Sequence, residues 1–154
     1  MKRQAAAFTV IGALVAALAF AQSATDAVEV SRDDIQTGRK EILSNTMEFT
    51  EAEGAAFWPV YNAYRGEVRK VDDRLVKLIT DYAAAGANLT DEQAKTMVKE
   101  FLSVRQSKDK IAAGYVDKFM KVLTPKKVAR FYQVENRMDL ILQAAAASEI
   151  PLIK

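Results

Sequence analysis

The chain has 154 residues, neither cysteine nor histidine, and 22 basic against 20 acidic side chains, which gives a formal charge of +2. This composition excludes disulfides and thiolate metal sites, removes the usual general base, and suits bulk nucleic-acid binding poorly, since that needs a strongly basic face. No phosphate-binding loop, dinucleotide fingerprint or nucleophile elbow occurs. We therefore expect no enzyme, no cofactor, no metal and no nucleic-acid partner.

Residues 1–21 have the features of a secretory signal peptide. Two basic residues precede an apolar run from Phe8 to Phe20, and Ala19-Phe20-Ala21 gives a small-x-small cleavage site. Cleavage after Ala21 would leave residues 22–154 as a single, formally neutral helical domain. An uncleaved anchor is the alternative, but about 20 apolar residues are wanted to span a bilayer. We predict a periplasmic protein with no stable membrane insertion after cleavage.

A short helix and then a long one are predicted after the leader. Ser31 caps the first, which ends near Asn45-Thr46. The capping box of Thr50 and Glu53 starts the second, which runs from about Glu51 to Ala85. Its apolar residues recur at steps of four and three, at Phe57, Tyr61, Tyr64, Val68, Val71, Leu75, Leu78 and Tyr82. This heptad spacing keeps one stripe facing a partner helix, so another long helix should lie beside it.

Two further helices follow. A second capping box, Thr90 to Gln93, starts a third helix from Asp91 to about Val122. Thr124 caps a fourth, with Pro125 at its first position. No segment has a strand pattern, so the class is all-α. We predict four helices: an antiparallel hairpin of two long helices with a shorter helix on each side.

The hairpin predicts an aromatic cluster away from its turn at Asn88. Residues equidistant from the turn face each other, which places Phe57 near Phe119, and the fourth helix reverses again and brings Phe131 and Tyr132 to the same end. The predicted cluster is Phe57, Trp58, Phe119, Phe131 and Tyr132. Aromatic residues at helical spacing usually form core. The alternative is a partly open patch that binds a client protein.

The same end carries an uneven distribution of charge. Five basic residues occur with no acidic residue between them: Lys118, Lys121, Lys126, Lys127 and Arg130. The hairpin places them near Glu48, Glu51 and Glu53. This pattern is typical of a solvated end with little effect on stability. The alternative is a basic rim that steers acidic partners.

The second helix also predicts a homodimer. Its stripe has no polar break, whereas Lys108 and Lys118 interrupt the stripe of the third helix. Apolar surface should therefore remain uncovered around Val71, Leu75 and Leu78. Large exposed apolar stripes mark interfaces, and a symmetric dimer would bury this one.

The element Leu89-Thr90-Asp91-Glu92-Gln93, in an exported cysteine-free helical chain, resembles the Spy/CpxP-type LTXXQ periplasmic proteins. Leu123-Thr124-Pro125-Lys126-Lys127 is similar, with lysine where glutamine is expected. The likeness covers most of residues 22–154 in layout. It implies a helical, often dimeric cradle that acts as an ATP-independent chaperone or as an accessory to envelope-stress signalling. Some such proteins bind metals through histidines, which this chain lacks.

We accordingly expect an exported helical binding protein whose partners are unfolded or envelope proteins. The alternative function is a structural or signalling accessory that docks on one dedicated envelope partner.

Overall fold

The computed structural model describes residues 35–153, in which the chain forms four α-helices and no strand. Helix α1 is described from residue 35 and ends at residue 47. The other three are α2, Glu51–Ala85, α3, Asp91–Met120, and α4, Pro125–Glu149; a 3₁₀ turn, Gly86–Asn88, joins α2 to α3. The predicted all-α class with four helices is confirmed. The predicted leader, its cleavage site at Ala21 and the Ser31 cap lie outside the described residues.

The chain divides into two compact units that meet in sequence at Thr46 and Met47. This boundary lies within the range 22–154 that the sequence assigns to one helical domain. Between α1 and α2, Glu48 has φ +50°, the left-handed region that usually takes glycine. Because that conformation cannot continue a helix, α1 ends at residue 47, slightly beyond the predicted Asn45-Thr46.

Caps fix both ends of α2. The Thr50 hydroxyl accepts a hydrogen bond from the Glu53 amide at 3.2 Å, and the Glu53 carboxylate accepts one from the Thr50 amide at 2.9 Å. This capping box satisfies two amides that have no partner within the helix. Gly86, with φ +50°, ends the helix and donates its amide to the Tyr82 carbonyl. The helix continues through Pro59 over 35 residues.

Helix α3 begins with the predicted capping box and ends slightly early. The Thr90 amide donates to the Gln93 side chain at 2.9 Å. At the other end, the amides of Val122 and Leu123 both donate to the Phe119 carbonyl, at 3.0 and 2.9 Å. These two bonds close a tight turn, which is why the helix stops at Met120 rather than at Val122. Thr124 then caps α4.

Contacts between α2 and α3 run antiparallel. Phe57 packs against Phe119 and Tyr64 against Tyr115, with ring centroids 5.6 and 5.4 Å apart. Further along, Arg74 contacts Glu100. Residue numbers rise on α2 as they fall on α3, as in a hairpin that turns at Gly86–Asn88.

Burial divides this hairpin into two halves. We call residues 51–71, 104–120 and 123–138 the base half, because α4 packs there, and residues 72–103 the turn half. Every buried apolar residue of the three long helices and their connections lies in the base half. These residues are Phe57, Tyr61, Tyr64, Val68, Val71, Val104, Phe119, Leu123, Val128, Phe131, Val134 and Met138. No residue from 72 to 103 is buried.

Candidate binding surface

The structure brings the five predicted aromatic residues together in the base half. Phe119 and Phe131 have ring centroids 4.5 Å apart, and Phe57 lies 5.3 Å from Phe131. These three rings are fully buried. Trp58 packs edge-on against Phe57 at 5.1 Å and Tyr132 edge-on against Phe131 at 5.0 Å, and both are half-buried. Three of the five rings therefore have no surface for a client, and a partner could touch only the outer edges of Trp58 and Tyr132.

Further rings extend the cluster beyond the predicted five. Tyr61 and Tyr64 of α2, Tyr115 of α3 and Phe49 all have ring contacts within it. Burial raises the pKa of Tyr64, and the nearby Glu135 carboxylate raises it further by a smaller amount. The same two causes raise the pKa of Tyr132 to about 12. Both phenols therefore stay protonated at neutral pH, and the Tyr132 hydroxyl donates to the Ala112 carbonyl at 2.7 Å. The sequence signal for Tyr61 and Tyr64 was that both lie on the apolar stripe of α2.

Ion pairs cross the base of the bundle. Lys127 of α4 donates to the Glu53 carboxylate and, at 3.0 Å, to the Glu48 carbonyl. Arg130 lies 3.5 Å from Glu48. The hydrogen bond from Lys127 is the largest cause that lowers the pKa of Glu53, and the hydrogen bond from the Thr50 amide is the next largest. Two of the five clustered cations are thus paired with acids, which favours a neutralised end over a basic rim at these positions.

A polar layer lies at the junction of the base half and the turn half. Arg74 donates twice to the Glu100 carboxylate, at 2.8 and 3.1 Å, and also to Ser103 and Ser107 at 2.9 and 3.3 Å. The Arg74 hydrogen bonds lower the pKa of Glu100. This bidentate pair tolerates little sliding of α2 against α3, so it fixes the register of the hairpin.

A second set of charges ties α4 into this layer. Lys108 pairs with Asp72, and Arg65 lies 3.9 Å from Asp72 and 3.8 Å from the buried Glu135 of α4. A cavity of about 150 Å³ opens beside them. It is lined from all three long helices, by Tyr64 and Val68 of α2, Lys108, Asp109 and Ala112 of α3, and Tyr132, Glu135, Asn136 and Asp139 of α4. Lys108, which interrupts the α3 stripe in sequence, thus has an acidic partner on α2.

Apolar side chains line the turn half on the same side of the hairpin that α4 covers in the base half. Three turns of α-helix take about eleven residues, so side chains eleven positions apart point to the same side of a helix. Stepping eleven positions along α2 leads from Tyr64, Arg65 and Val68 to Leu75, Val76 and Ile79. The same step along α3 leads from Lys108, Asp109 and Ala112 to Met97, Val98 and Phe101. The six residues reached in this way are all apolar, and we call them the open seam.

The open seam is accessible to solvent. Val98 and Phe101 are 56% and 44% exposed, and Val76 is also exposed. Leu75, Ile79 and Met97 are half-buried. The stripe of α4 that packs on the base half also becomes accessible, because Met138 is buried whereas Leu142 is exposed, as are all residues from 140 to 148. The base half therefore has a helix over this side of the hairpin, whereas the turn half leaves apolar surface for a partner.

The predicted dimer stripe is only partly open. Leu75 and Leu78 are half-buried, but Val71 is 7% exposed within the single chain, so the prediction that it stays open for a partner is wrong. In the antiparallel register Val71 lies opposite Val104, the other buried valine at this level. Lys108 interrupts the apolar stripe of α3, but Val104, one turn away on the same stripe, is buried as well.

Both elements of the LTXXQ resemblance start helices. Thr90 and Gln93 form the capping box of α3, and Leu89 beside them is half-buried. Thr124 caps α4 by accepting from the Lys127 amide at 3.4 Å, and Leu123 is buried. Lysine at the glutamine position of the second element removes the reciprocal bond to the cap amide, but its ammonium instead reaches Glu53.

Comparison with known proteins adds no assignment: no family model matches the chain, and neither the curated proteins nor the solved structures give a significant match. Within residues 35–153, none of the helices is long and apolar enough to cross a membrane.

Proposed function

We propose that this chain is an exported, periplasmic helical binding protein that acts on unfolded or envelope proteins, as an ATP-independent chaperone or an envelope-stress accessory. The observation that carries the proposal is the open seam, which exposes apolar side chains of two helices side by side. A surface of this kind binds the apolar face of a helix or an extended apolar segment. The LTXXQ resemblance and the signal-peptide pattern of residues 1–21 supply the periplasmic setting.

An aggregation assay tests the chaperone activity. Purified residues 22–154 should suppress aggregation of an unfolding client at near-stoichiometric amounts. Phe101→Ala should weaken suppression several-fold, because it removes the largest side chain of the open seam. Leu102→Ala is the matched control, since Leu102 is 56% exposed on the same helix but points about 100° away. No suppression at tenfold excess of the wild type would reject the chaperone activity.

The alternative is an accessory that docks on one dedicated envelope partner through the same surface. A photo-crosslinking residue in place of Val98, used in the intact envelope and followed by mass spectrometry, separates the two functions. A chaperone gives many crosslinked proteins, whereas an accessory gives one dominant partner. The same residue in place of Gly114, which has no side-chain neighbour within 4 Å and lies outside the open seam, reports background crosslinking.

A second copy of the chain would also cover this surface, and we propose a homodimer that contacts through Leu75 and Leu78. Sedimentation at tens of micromolar, where an interface of standard size should hold, tests it. Leu75→Lys should give monomers with nearly unchanged helical content. A wild type that is already monomeric at this concentration would reject the dimer and leave the open seam free for clients.

Export is tested separately. Protein recovered from the envelope should begin at Gln22 by intact-mass measurement. A leader still attached would instead make this a membrane-anchored protein.

A further inference from the structure

The segment that follows α4 returns to the hairpin. All residues from 140 to 148 are exposed, yet Ile150 is half-buried. The Tyr82 hydroxyl donates to the Pro151 carbonyl at 2.8 Å. This hydrogen bond joins positions 69 apart in sequence. The contact is therefore made by the segment itself and does not extend the packing of α4, whose last turns lie open to solvent.

The position of Tyr82 relates this contact to the open seam. Tyr82 lies eleven positions, or three helical turns, after Val71, and it follows Leu75 and Ile79 by seven and three positions on α2. In the antiparallel register that places Val71 opposite Val104, it lies opposite Gln93, about one helical turn from Met97, a member of the open seam. Residues 150–153, Ile-Pro-Leu-Ile, which we call the tail, thus meet the end of the open seam next to the hairpin turn.

The chemistry of the contact resembles recognition of a peptide. Ile150 has an extended backbone, with φ −93° and ψ 114°. The tail is apolar, and Pro151 cannot donate a backbone hydrogen bond. Tyr82 binds the main-chain carbonyl, which every residue has, so it places few demands on the side chains of its ligand. Extended segments are recognised in this way elsewhere, with main-chain hydrogen bonds for affinity and pockets for selected side chains.

We propose that the tail is an intramolecular ligand of the end of the open seam next to Tyr82, and that this end accepts extended apolar segments of the same kind from clients. This inference rests on the proposed function for the identity of the outside ligand, but the contact between tail and seam stands independently of it. In the closed state the Tyr82 hydroxyl binds the Pro151 carbonyl at the end of the seam, and Ile150 is half-buried. A client segment displaces them, so the tail lowers the apparent affinity for weak ligands.

The test uses a chain that ends at Glu149 and a labelled synthetic peptide of residues 148–154. The peptide should bind the shortened chain, and should bind residues 22–154 at least tenfold more weakly because the attached tail competes. Tyr82→Phe in the shortened chain should weaken binding about fivefold, the usual effect of one lost hydrogen bond. Tyr115→Phe is the matched control in the base half, and should leave peptide binding unchanged.

Two peptide variants locate the contact. Ile150→Ser in the peptide should abolish most of the binding, since this side chain is half-buried. Leu152→Ser should have little effect, since Leu152 is 89% exposed. Equal effects of the two substitutions, equal binding to both chains, or no binding to the shortened chain would each overturn the proposal.

The aggregation assay separates this proposal from the proposed function. The shortened chain should suppress aggregation at lower concentration than residues 22–154. Peptide binding without suppression by either chain would support the tail contact and reject the chaperone activity. Suppression by both chains without peptide binding would reject the tail contact and support the chaperone activity.

Discussion

Phe131 in the base half is fully buried, whereas Phe101 in the turn half is 44% exposed, although both belong to apolar stripes at helical spacing. The difference arises from a third helix. Where α4 packs on the hairpin, its stripe completes a layer of aromatic rings; beyond Met138 it leaves its own stripe and that of the hairpin accessible. Periodic apolar residues therefore stabilise the fold in one half and offer surface to a partner in the other.

The largest expected effect is on the stability of the base half. Phe131→Ala should lower the free energy of unfolding by about 3–5 kcal/mol, because it leaves a cavity between Phe57 and Phe119. Phe101→Ala should lower it by less than about 1 kcal/mol, because the ring is already partly in water. Urea unfolding followed by circular dichroism measures both. Equal losses would show that the turn half contributes to the core as much as the base half does.

The sequence predicted the helices well because they depend on local signals, and the aromatic cluster well because it follows from folding the chain at one turn. The capping boxes at Thr50 and Thr90 and the glycine at Gly86 determine the bounds of α2 and the start of α3. Equal spacing from the turn was enough to bring Phe57 near Phe119. The end of α3 was placed two residues late, since the turn at Val122 depends on backbone bonds that carry no sequence signal.

Other long-range contacts could not be predicted. The apolar stripes alone did not show that Val71 and Val104, at one level of the hairpin, would both be buried within the single chain. The open seam becomes visible only when the side covered by α4 is known, because the spacing of its residues does not show which side of the hairpin a third helix covers. The contact of Tyr82 with Pro151 joins a helix to a segment without periodicity.

The N-cap of α3, in the turn half, should contribute less to stability than the aromatic layer does. Thr90→Ala in the turn half should lower the free energy of unfolding by about 1 kcal/mol, as loss of an N-cap usually does. Client or partner binding should survive in the folded fraction, which a binding assay at fixed folded concentration measures. If binding disappears while stability stays the same, Thr90 is a contact residue of the motif rather than a cap.

Lowering the pH should destabilise both halves, because it protonates Glu53 in the base half and Glu100 in the turn half. The pKa of Glu53 is lowered by Lys127 and then by Thr50, and that of Glu100 by Arg74. Since folding lowers these pKa values, their stabilisation is present above the ordinary carboxyl range and is lost as the pH falls below about 4. Glu53→Gln keeps the capping side chain without the charge, so wild type and variant should differ at pH 7 and converge in acid. A difference in urea midpoint that persists at low pH would contradict this assignment.

The smallest expected effect concerns the register of the hairpin. A double-mutant cycle of Arg74→Ala and Glu100→Ala should give a small stabilising coupling, since both side chains are more than a third exposed and solvent screens them. Urea midpoints of the four proteins supply the cycle. A coupling near zero would mean that the register is set by the base half alone.

The single tryptophan of the chain is placed so that it reports on one half only. Trp58 packs edge-on against Phe49 and Phe57 in the base half, and the turn half contains no tryptophan. Emission excited selectively from its indole therefore follows unfolding of the aromatic layer and is insensitive to ligands at Phe101 or Tyr82. Replacing Val98 with tryptophan in a Trp58→Phe background would move the optical signal to the other half, so that folding and ligand capture can be read by separate proteins.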